Sequence, residues 1–150
     1  MDALNAYIKL VRAAESVSAR AHAILPKTLT LSQFSVLETL LHRGPLHQGE
    51  LAGKLLRSGG NLTLIVSNLE KMGFVTRVRN PDDRRYITVS LTEKGRTFIS
   101  ELFPRVAASI TRELGALSTA EQFTLGWLCK KAGIRGVPGA AHTPAVASDA

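Results

Sequence analysis

Residues 60–91 read Gly60-Asn-Leu-Thr-Leu-Ile-Val-Ser-Asn-Leu-Glu-Lys-Met-Gly-Phe-Val-Thr-Arg-Val-Arg-Asn-Pro-Asp-Asp-Arg-Arg-Tyr-Ile-Thr-Val-Ser-Leu91, and along them the hydrophobic period changes from helical to alternating. Leu62, Ile65, Val66, Leu69 and Met72 fall three and four apart, the inner stripe of an amphipathic helix over about 60–72. Gly73 suits the left-handed position just past the end of such a helix. Phe74–Arg79 and Tyr86–Leu91 then alternate as two strands, and Asn80-Pro81-Asp82-Asp83 between them is turn chemistry. The segment therefore predicts a helix followed by a β-hairpin with a long, charged tip.

The flanks repeat the helical pattern. Arg57-Ser58-Gly59-Gly60 reads as a turn, with Ser58 the N-cap of the helix just described. Before it, a short helix over about 48–56 turns Leu51, Ala52 and Leu55 inward. A longer one begins at Thr30, where Thr30 and Gln33 have the spacing of a capping box; Phe34, Leu37, Leu40 and Leu41 form its buried face, and Gly44-Pro45 ends it. At the N-terminus, Leu4, Ile8, Val11, Ala14, Val17 and Ala21 mark one stripe of a helix over 3–25, stopped by Pro26. Downstream, Thr92 opens a helix with Phe98, Ile99 and Leu102 inward. Pro104 is expected to break or kink it, after which Val106, Ile110, Leu114 and Leu117 continue a stripe. Ser118 and Glu121 form a second capping-box pattern, for a last helix to Ala132. From Gly133 the chain is rich in Gly, Pro, Ala and Ser without periodicity, so 133–150 is expected to be a disordered tail. Three helices, a hairpin and further helices define a mainly α chain with a small β-hairpin wing: a winged helix-turn-helix flanked by terminal helices.

Composition bounds the function. Hydrophobic residues make up 45% of the 150 and aromatics only 5%, so the core must be aliphatic. The formal net charge is +7 and the pI about 10.1, which suggests nucleic acid or an anionic membrane surface as partner, or charge serving solubility alone. Its distribution favours the first. Pro45 to Arg96 carries nine Lys and Arg against five Asp and Glu, the most basic part of the chain. A membrane-surface role is disfavoured because this charge lies on a hairpin rather than an amphipathic helix. One cysteine, Cys129, forms no internal disulfide and fits a reducing cytosol. The N-terminus lacks an apolar signal region, and no apolar run approaches the ~18–20 residues needed to cross a bilayer. The expected location is the cytoplasm, with no membrane partner.

A DNA reader needs a helix that enters the major groove with short polar side chains at the base edges. Once the core face of 60–71 is removed, the outward positions are Asn61, Thr63, Leu64, Ser67, Asn68 and Lys71. Asn can donate to and accept from an adenine edge, Thr63 and Ser67 can bond a base or a phosphate, and Leu64 can meet a thymine methyl. Ser58 and the backbone N–H groups of Gly59 and Gly60 open the helix where a phosphate would bind its positive end. Alone, this face reads equally as a solvated helix surface. The hairpin adds Arg77, Arg79, Arg84 and Arg85 on one protruding element, suited to a narrow minor groove, with Asp83 close enough to orient Arg85. Helix and basic wing together favour double-stranded DNA over a salt-bridged surface turn.

These residues carry a resemblance. Leu29-Thr-Leu-Ser-Gln-Phe-Ser-Val-Leu37, Gly49-Glu-Leu-Ala52, Asn68-Leu-Glu-Lys-Met-Gly-Phe-Val75, and Asp82-Asp-Arg-Arg85 followed by Val89-Ser-Leu-Thr-Glu-Lys-Gly95 are similar to the MarR family of bacterial transcription regulators. The strong likeness runs from Leu29 to Pro104, about half the chain, and its last two motifs are specific. It implies one MarR-like domain over 1–132: dimerisation helices in 1–28 and 97–132 around a DNA-binding lobe in 29–96. It further implies a homodimer on a pseudo-palindromic operator. Asn61, Thr63, Leu64 and Ser67 would lie in the major groove, and Arg85, oriented by Asp83, in the minor groove. Many members are repressors released by a small aromatic effector held between the dimerisation helices and the DNA-binding lobe. Two departures stand out: His47 occupies the place of an expected Ser or Thr cap, and the tail after Gly133 has no counterpart.

Other chemistry finds little support. Cys129 is expected to be buried and structural, with a thiol-based redox sensor as the alternative. His22, His42, His47 and His142 show no metal-ligand spacing, so no metal is expected, and His22 and His42 read as packing or capping residues. No cofactor is expected. Gly59-Gly60 lacks the Lys-Ser/Thr of a phosphate-binding loop, and Glu38, Glu50 and Glu70 fall on separate helices with no evident histidine partner, which argues against an enzyme. A winged helix serving only protein partners remains the other reading, disfavoured because such a module does not require four arginines around its hairpin.

Overall fold

In the computed structural model, residues 2–55 and 59–133 are described. Their order is α1 (Asp2–Ala21), α2 (Leu31–Arg43), β1 (Leu46–His47), α3 (Gln48–Leu55), α4 (Gly59–Lys71), β2 (Val75–Arg79), β3 (Ile87–Leu91), α5 (Glu93–Glu113) and α6 (Thr119–Gly133). One compact unit extends to Glu113 and a second begins at Leu114. Among the described residues no helix is long and apolar enough to cross a membrane. The Ser58 cap and the 134–150 tail lie outside the described residues.

The first unit closes over one aliphatic core. Val36, Leu37 and Leu40 from α2, Leu51 from α3, Leu62, Val66 and Leu69 from α4, Val75 and Val89 from the strands, and Ile99 and Val106 from α5 are all fully buried. Removing each such side chain from water contributes about 1.5–3 kcal/mol, and together they fix the helices against the sheet. The capping box at α2 forms as its spacing predicts: Gln33 N–H donates to Thr30 Oγ1 at 3.1 Å, and Thr30 N–H donates to Gln33 Oε1 at 2.9 Å. Gly44 (φ 76°) and Gly73 (φ 80°) end α2 and α4 in the left-handed region, where a Cβ is disfavoured.

The sheet has three strands rather than the two expected, in the order β1-β3-β2, all antiparallel. Leu46 pairs with Val89 and His47 with Thr88, so β3 is central. Two residues carry no readable alternation, which hid β1 from the sequence pattern. Across β2–β3 the register sets Val75 opposite Leu91, Arg77 opposite Val89 and Arg79 opposite Ile87.

Four further expectations change. α1 stops at Ala21 rather than continuing to 25, because the chain turns through His22–Leu25 before Pro26. α4 begins at Gly59, one residue before the expected start at about 60, so Gly59 belongs to the helix rather than to the turn before it. Pro104 does not break α5, which runs through it from Glu93 to Glu113. Cys129 is exposed rather than buried, because α6 buries none of its residues within this chain.

The start of α5 is tied closely to the wing. Thr92 Oγ1 donates to the Gly73 carbonyl (2.6 Å) and accepts from Gly95 N–H (2.9 Å), while Thr92 N–H donates to the Phe74 carbonyl (3.0 Å). Phe98 stacks on Phe74 with centroids 4.5 Å apart. At the other end of the unit, Arg20 Nε of α1 donates to Glu113 Oε2 of α5 at 2.6 Å. α1 buries only Ala21 and leaves Leu4, Tyr7, Ile8 and Leu10 exposed. In the second unit, α6 is capped reciprocally: Ser118 N–H donates to Glu121 Oε2 at 2.7 Å, and Glu121 N–H donates to Ser118 Oγ at 3.3 Å. Phe123, Leu125 and Leu128 are exposed on it.

Candidate nucleic-acid interface

α4 buries Leu62, Ile65, Val66 and Leu69, and this stripe determines what faces out. Asn61, Thr63, Leu64 and Lys71 are exposed, while Ser67 and Asn68 are half-buried at the edge of the face. Leu64 is 61% exposed, an apolar side chain set among polar ones on a helix whose other leucines are interior. Gln48, the first residue of α3, donates from Nε2 to Thr63 Oγ1 at 2.6 Å and so links the two helices of the helix-turn-helix at their outer edge. Its Oε1 is buried and makes no hydrogen bond among the described residues.

The hairpin tip is ordered by its own polar groups. Asn80 Oδ1 accepts from the N–H of Asp82 (2.9 Å) and Asp83 (3.4 Å), an Asx turn, while Asn80 N–H donates to the Tyr86 carbonyl (2.9 Å) and Tyr86 N–H to the Asp83 carbonyl (3.0 Å). On this frame Asp83 grips Arg85 in a two-pronged pair: Arg85 Nε donates to Oδ1 at 3.0 Å and Nη2 to Oδ2 at 2.8 Å. The Arg85 backbone N–H also reaches Oδ1 at 3.1 Å. The side chain of Arg85 is 86% exposed, so the fork fixes a cation in the solvent without burying it. These hydrogen bonds hold the Asp83 carboxyl below its usual range and push Arg85 up, so both shifts favour the charged forms. The sequence-based pairing of Asp83 with Arg85 is present in the structure.

The other three wing arginines differ from one another. Arg77 is half-buried and turned toward α4, where Nε (3.0 Å) and Nη2 (2.6 Å) both donate to Glu70 Oε2. That pairing holds Glu70 below the ordinary glutamate range. Arg79 and Arg84 are exposed and form no ion pair among the described residues. From sequence, Glu70 is weighed only as a carboxylate without a histidine and its pairing with Arg77 is missed, although it precedes Arg77 by one turn and a strand entry, a spacing that brings a helix end over the first strand of a hairpin.

His47 does not cap α3 in the manner expected of that position. It lies in β1, its Nδ1 is 3.2 Å from Thr88 Oγ1, its ring tilts against Tyr86 at 5.3 Å, and Nε2 is 4.0 Å from Glu50. His47, Glu50 and Tyr86 line a cleft of 430 Å³ between the start of α3 and the wing, together with Gln48 and Arg85. Glu38 likewise has a histidine neighbour, His42 at 3.5 Å, which corrects the expectation that these carboxylates stand apart from histidines. His42 also packs edge-on against Phe103 at 4.6 Å, and His22 Nδ1 meets the Ser18 carbonyl at 2.8 Å. Among the described residues, no group of three or more potential ligands could hold a metal ion.

A helix pair presenting a polar face, followed by a β-hairpin wing with a fixed arginine at its tip, defines a winged helix-turn-helix regulator. The MarR family model matches residues 29–87. The HTH-type transcriptional regulator YkoM of Bacillus subtilis is 36% identical over 138 residues, covering 88% of this chain and 86% of that protein. Among solved structures, BpsR of Bordetella bronchiseptica, studied for regulation of its DNA binding by 6-hydroxynicotinic acid, superposes with a TM-score of 0.80. It is 24% identical, and the match covers 87% of this chain and 99% of that one. A mutant MarR of Escherichia coli complexed with operator DNA superposes with a TM-score of 0.72 at 27% identity, covering 89% of this chain and all of that one (100%). The chain belongs to the MarR family of transcriptional regulators, DNA-binding proteins rather than enzymes.

Proposed function

We propose that this regulator is a cytoplasmic homodimeric repressor that reads a pseudo-palindromic operator, its paired α4 helices addressing half-sites about 10 bp apart. In this reading Asn61, Thr63, Leu64 and Ser67 meet base edges in the major groove, and Arg85 enters the flanking minor groove. Ser58, Gly60, Asn68, Lys71, Arg79 and Arg84 border phosphates. The observation that carries it is the Asp83–Arg85 fork, which holds a largely exposed cation in one orientation at the end of a hairpin. A salt bridge of that kind adds little to stability at a surface, so its geometry is better explained by what it presents outward.

The dimer reading, through residues 1–28 and 97–132, is supported by the apolar side chains that α1 and α6 leave uncovered: Leu4, Tyr7, Ile8 and Leu10 on one, Phe123, Leu125 and Leu128 on the other. Release by a small aromatic effector is the finer part of the proposal. Its support is the fold shared with BpsR, whose DNA binding 6-hydroxynicotinic acid regulates.

The test is selection of duplexes from a random pool by the purified protein, followed by anisotropy titration at several salt concentrations. A palindromic consensus bound at nanomolar concentration with a steep salt slope is the expected result. Arg85→Ala should then weaken binding and flatten the slope by about one phosphate equivalent or less, with the loss concentrated at A·T-rich flanks. Weak binding with no enriched sequence would refute the operator reading and favour a winged helix that serves protein partners.

A further inference from the structure

The Glu70–Arg77 pair is not explained by direct contact with DNA. An arginine on a DNA-facing wing is most useful to a phosphate when its guanidinium is available, yet Arg77 has both donating nitrogens on one carboxylate oxygen of α4. A glutamate near the end of a reading helix is equally out of place, because an unpaired carboxylate repels the phosphate backbone. Each residue neutralises the other. The pair spans the two elements that the proposed interface uses, α4 and the wing.

Its place in the fold gives it leverage. The chain passes from α4 into β2 through Met72-Gly73-Phe74, where Gly73 N–H donates to the Glu70 carbonyl at 2.9 Å and Phe74 N–H to the Leu69 carbonyl at 3.0 Å. Beyond that turn, Val75 is buried in the core, and Arg77 is the next residue on the same face of β2. Arg77 stands opposite Val89, the position at which β3 is also paired to Leu46 of β1. The ion pair is therefore made at the middle of the edge strand β2, level with the row at which all three strands are paired. From Val75 to Arg79 the strand extends about 13 Å at about 3.3 Å per residue, so a 10° swing about the turn moves its far end by about 2 Å. A hydrogen bond to DNA tolerates only a few tenths of an ångström around about 2.9 Å. Arg79, opposite Ile87 and nearer the tip, shares a cleft of 250 Å³ with Glu70 and Arg77 and forms no ion pair among the described residues.

We propose that Glu70 and Arg77 are a positioning pair that sets the angle of the wing to the recognition helix, so that α4 and Arg85 engage one half-site in register. Arg77 then makes no phosphate contact of its own, and Arg79 is the strand arginine that does. The inference rests on the reading of α4 and the wing as the DNA interface. It predicts that breaking the pair costs specificity and not general affinity for polyanions.

The experiment compares the full-length protein with Glu70→Ala and with the charge swap Glu70→Arg/Arg77→Glu, after circular dichroism has shown that each is folded. Each is titrated against the operator selected by the parent protein and against a scrambled duplex, at several salt concentrations. The readout is the ratio of the two affinities, which a simple change of net charge moves in common and so leaves unaltered. For Glu70→Ala the ratio should fall on the order of tenfold, the size of one well-made site contact, and the swap should recover most of the loss. An unchanged ratio in Glu70→Ala overturns the proposal. So does tighter binding to both duplexes with a salt slope steeper by about 0.9, which would make Arg77 a phosphate ligand held in reserve. If the parent protein selects no operator, the interface reading itself fails and the pair's role with it. Failure of the pair alone is recognised by a parent that selects an operator and a variant that discriminates as well.

Discussion

Gly95→Ala puts the packing of the wing against α5 to a direct test. A Cβ built on Gly95 would lie 2.0 Å from the carbonyl oxygen of Phe74, 2.8 Å from its carbonyl carbon and 3.0 Å from its Cα, whereas ordinary contact begins at 3.4 Å. All three atoms are backbone, so no side chain can rotate away, and the first turn of α5 must withdraw from β2 by more than an ångström. That movement disturbs three interactions: Thr92 N–H to the Phe74 carbonyl, the Thr92 cap on Gly95, and the Phe74–Phe98 stack. At about 1 kcal/mol each they total about 3 kcal/mol. The gain in helix propensity from Gly to Ala, about 1 kcal/mol, offsets part of this. The net loss is about 2 kcal/mol, or about 4–8 °C in Tm for a chain of this length. Urea denaturation followed by far-ultraviolet circular dichroism, at one fixed protein concentration, measures it. Gly53→Ala in α3 is the control, since a Cβ there meets nothing within 4 Å, and it should stabilise by about 0.5–1 kcal/mol. A Gly95→Ala protein as stable as its parent would show that α5 is not seated on the Phe74 carbonyl, and the account of this junction would fall.

Thr30→Ala removes one half of the α2 capping box and should cost about 1 kcal/mol, read as a lower denaturation midpoint with an unchanged m-value; a neutral result would mean the cap is frayed in solution. Asp83 has a depressed pKa in the folded chain, so its contribution to stability is fully present above the unfolded value of about 3.9 and disappears as pH falls through the lower folded one. A carboxyl chemical-shift titration should place the midpoint of Asp83 below that of an ordinary aspartate, and Arg85→Ala should return it; a midpoint at or above the ordinary value contradicts the fork. Asn61→Ala should change base preference by about 1–3 kcal/mol at one position, with little effect on scrambled duplex, and identical selected sequences for variant and parent would remove Asn61 from the reading set.

Elements with a strong period were legible. The inner face of α4, the capping boxes at Thr30 and Ser118, the glycine after α4 and the Asp83–Arg85 pairing all follow from local rules, because each depends on residues within one turn or one hairpin. What escaped notice depends on partners far apart in the chain or on segments too short to show a period. β1 has two residues, and its strand character comes from pairing with β3, more than forty positions away. His47 looked like a misplaced cap for the same reason; its partner, Thr88, lies on that distant strand. For Pro104 the sequence rule is a break or a kink; α5 is not broken, because the buried residues on either side, Leu102 and Val106, hold the helix to the core through the missing hydrogen bond. Cys129 was read by composition, since cysteine is usually interior, and an apolar helix with no covered face in its own chain overrides that tendency. The Glu70–Arg77 contact was hidden because both residues carry charge of a kind that surfaces ordinarily bear.

The two-residue strand β1 limits how this wing can change. Because β3 is bonded along both edges, to Leu46–His47 on one side and to β2 on the other, a one-residue insertion within it would misalign two ladders and carry Val89 out of the core. The tip between Asn80 and Tyr86 is under no such constraint. Length can be added or removed there while every strand keeps its neighbours, so the fold tolerates a change in the reach of the wing, and only the turn that aims Arg85 has to be rebuilt with it.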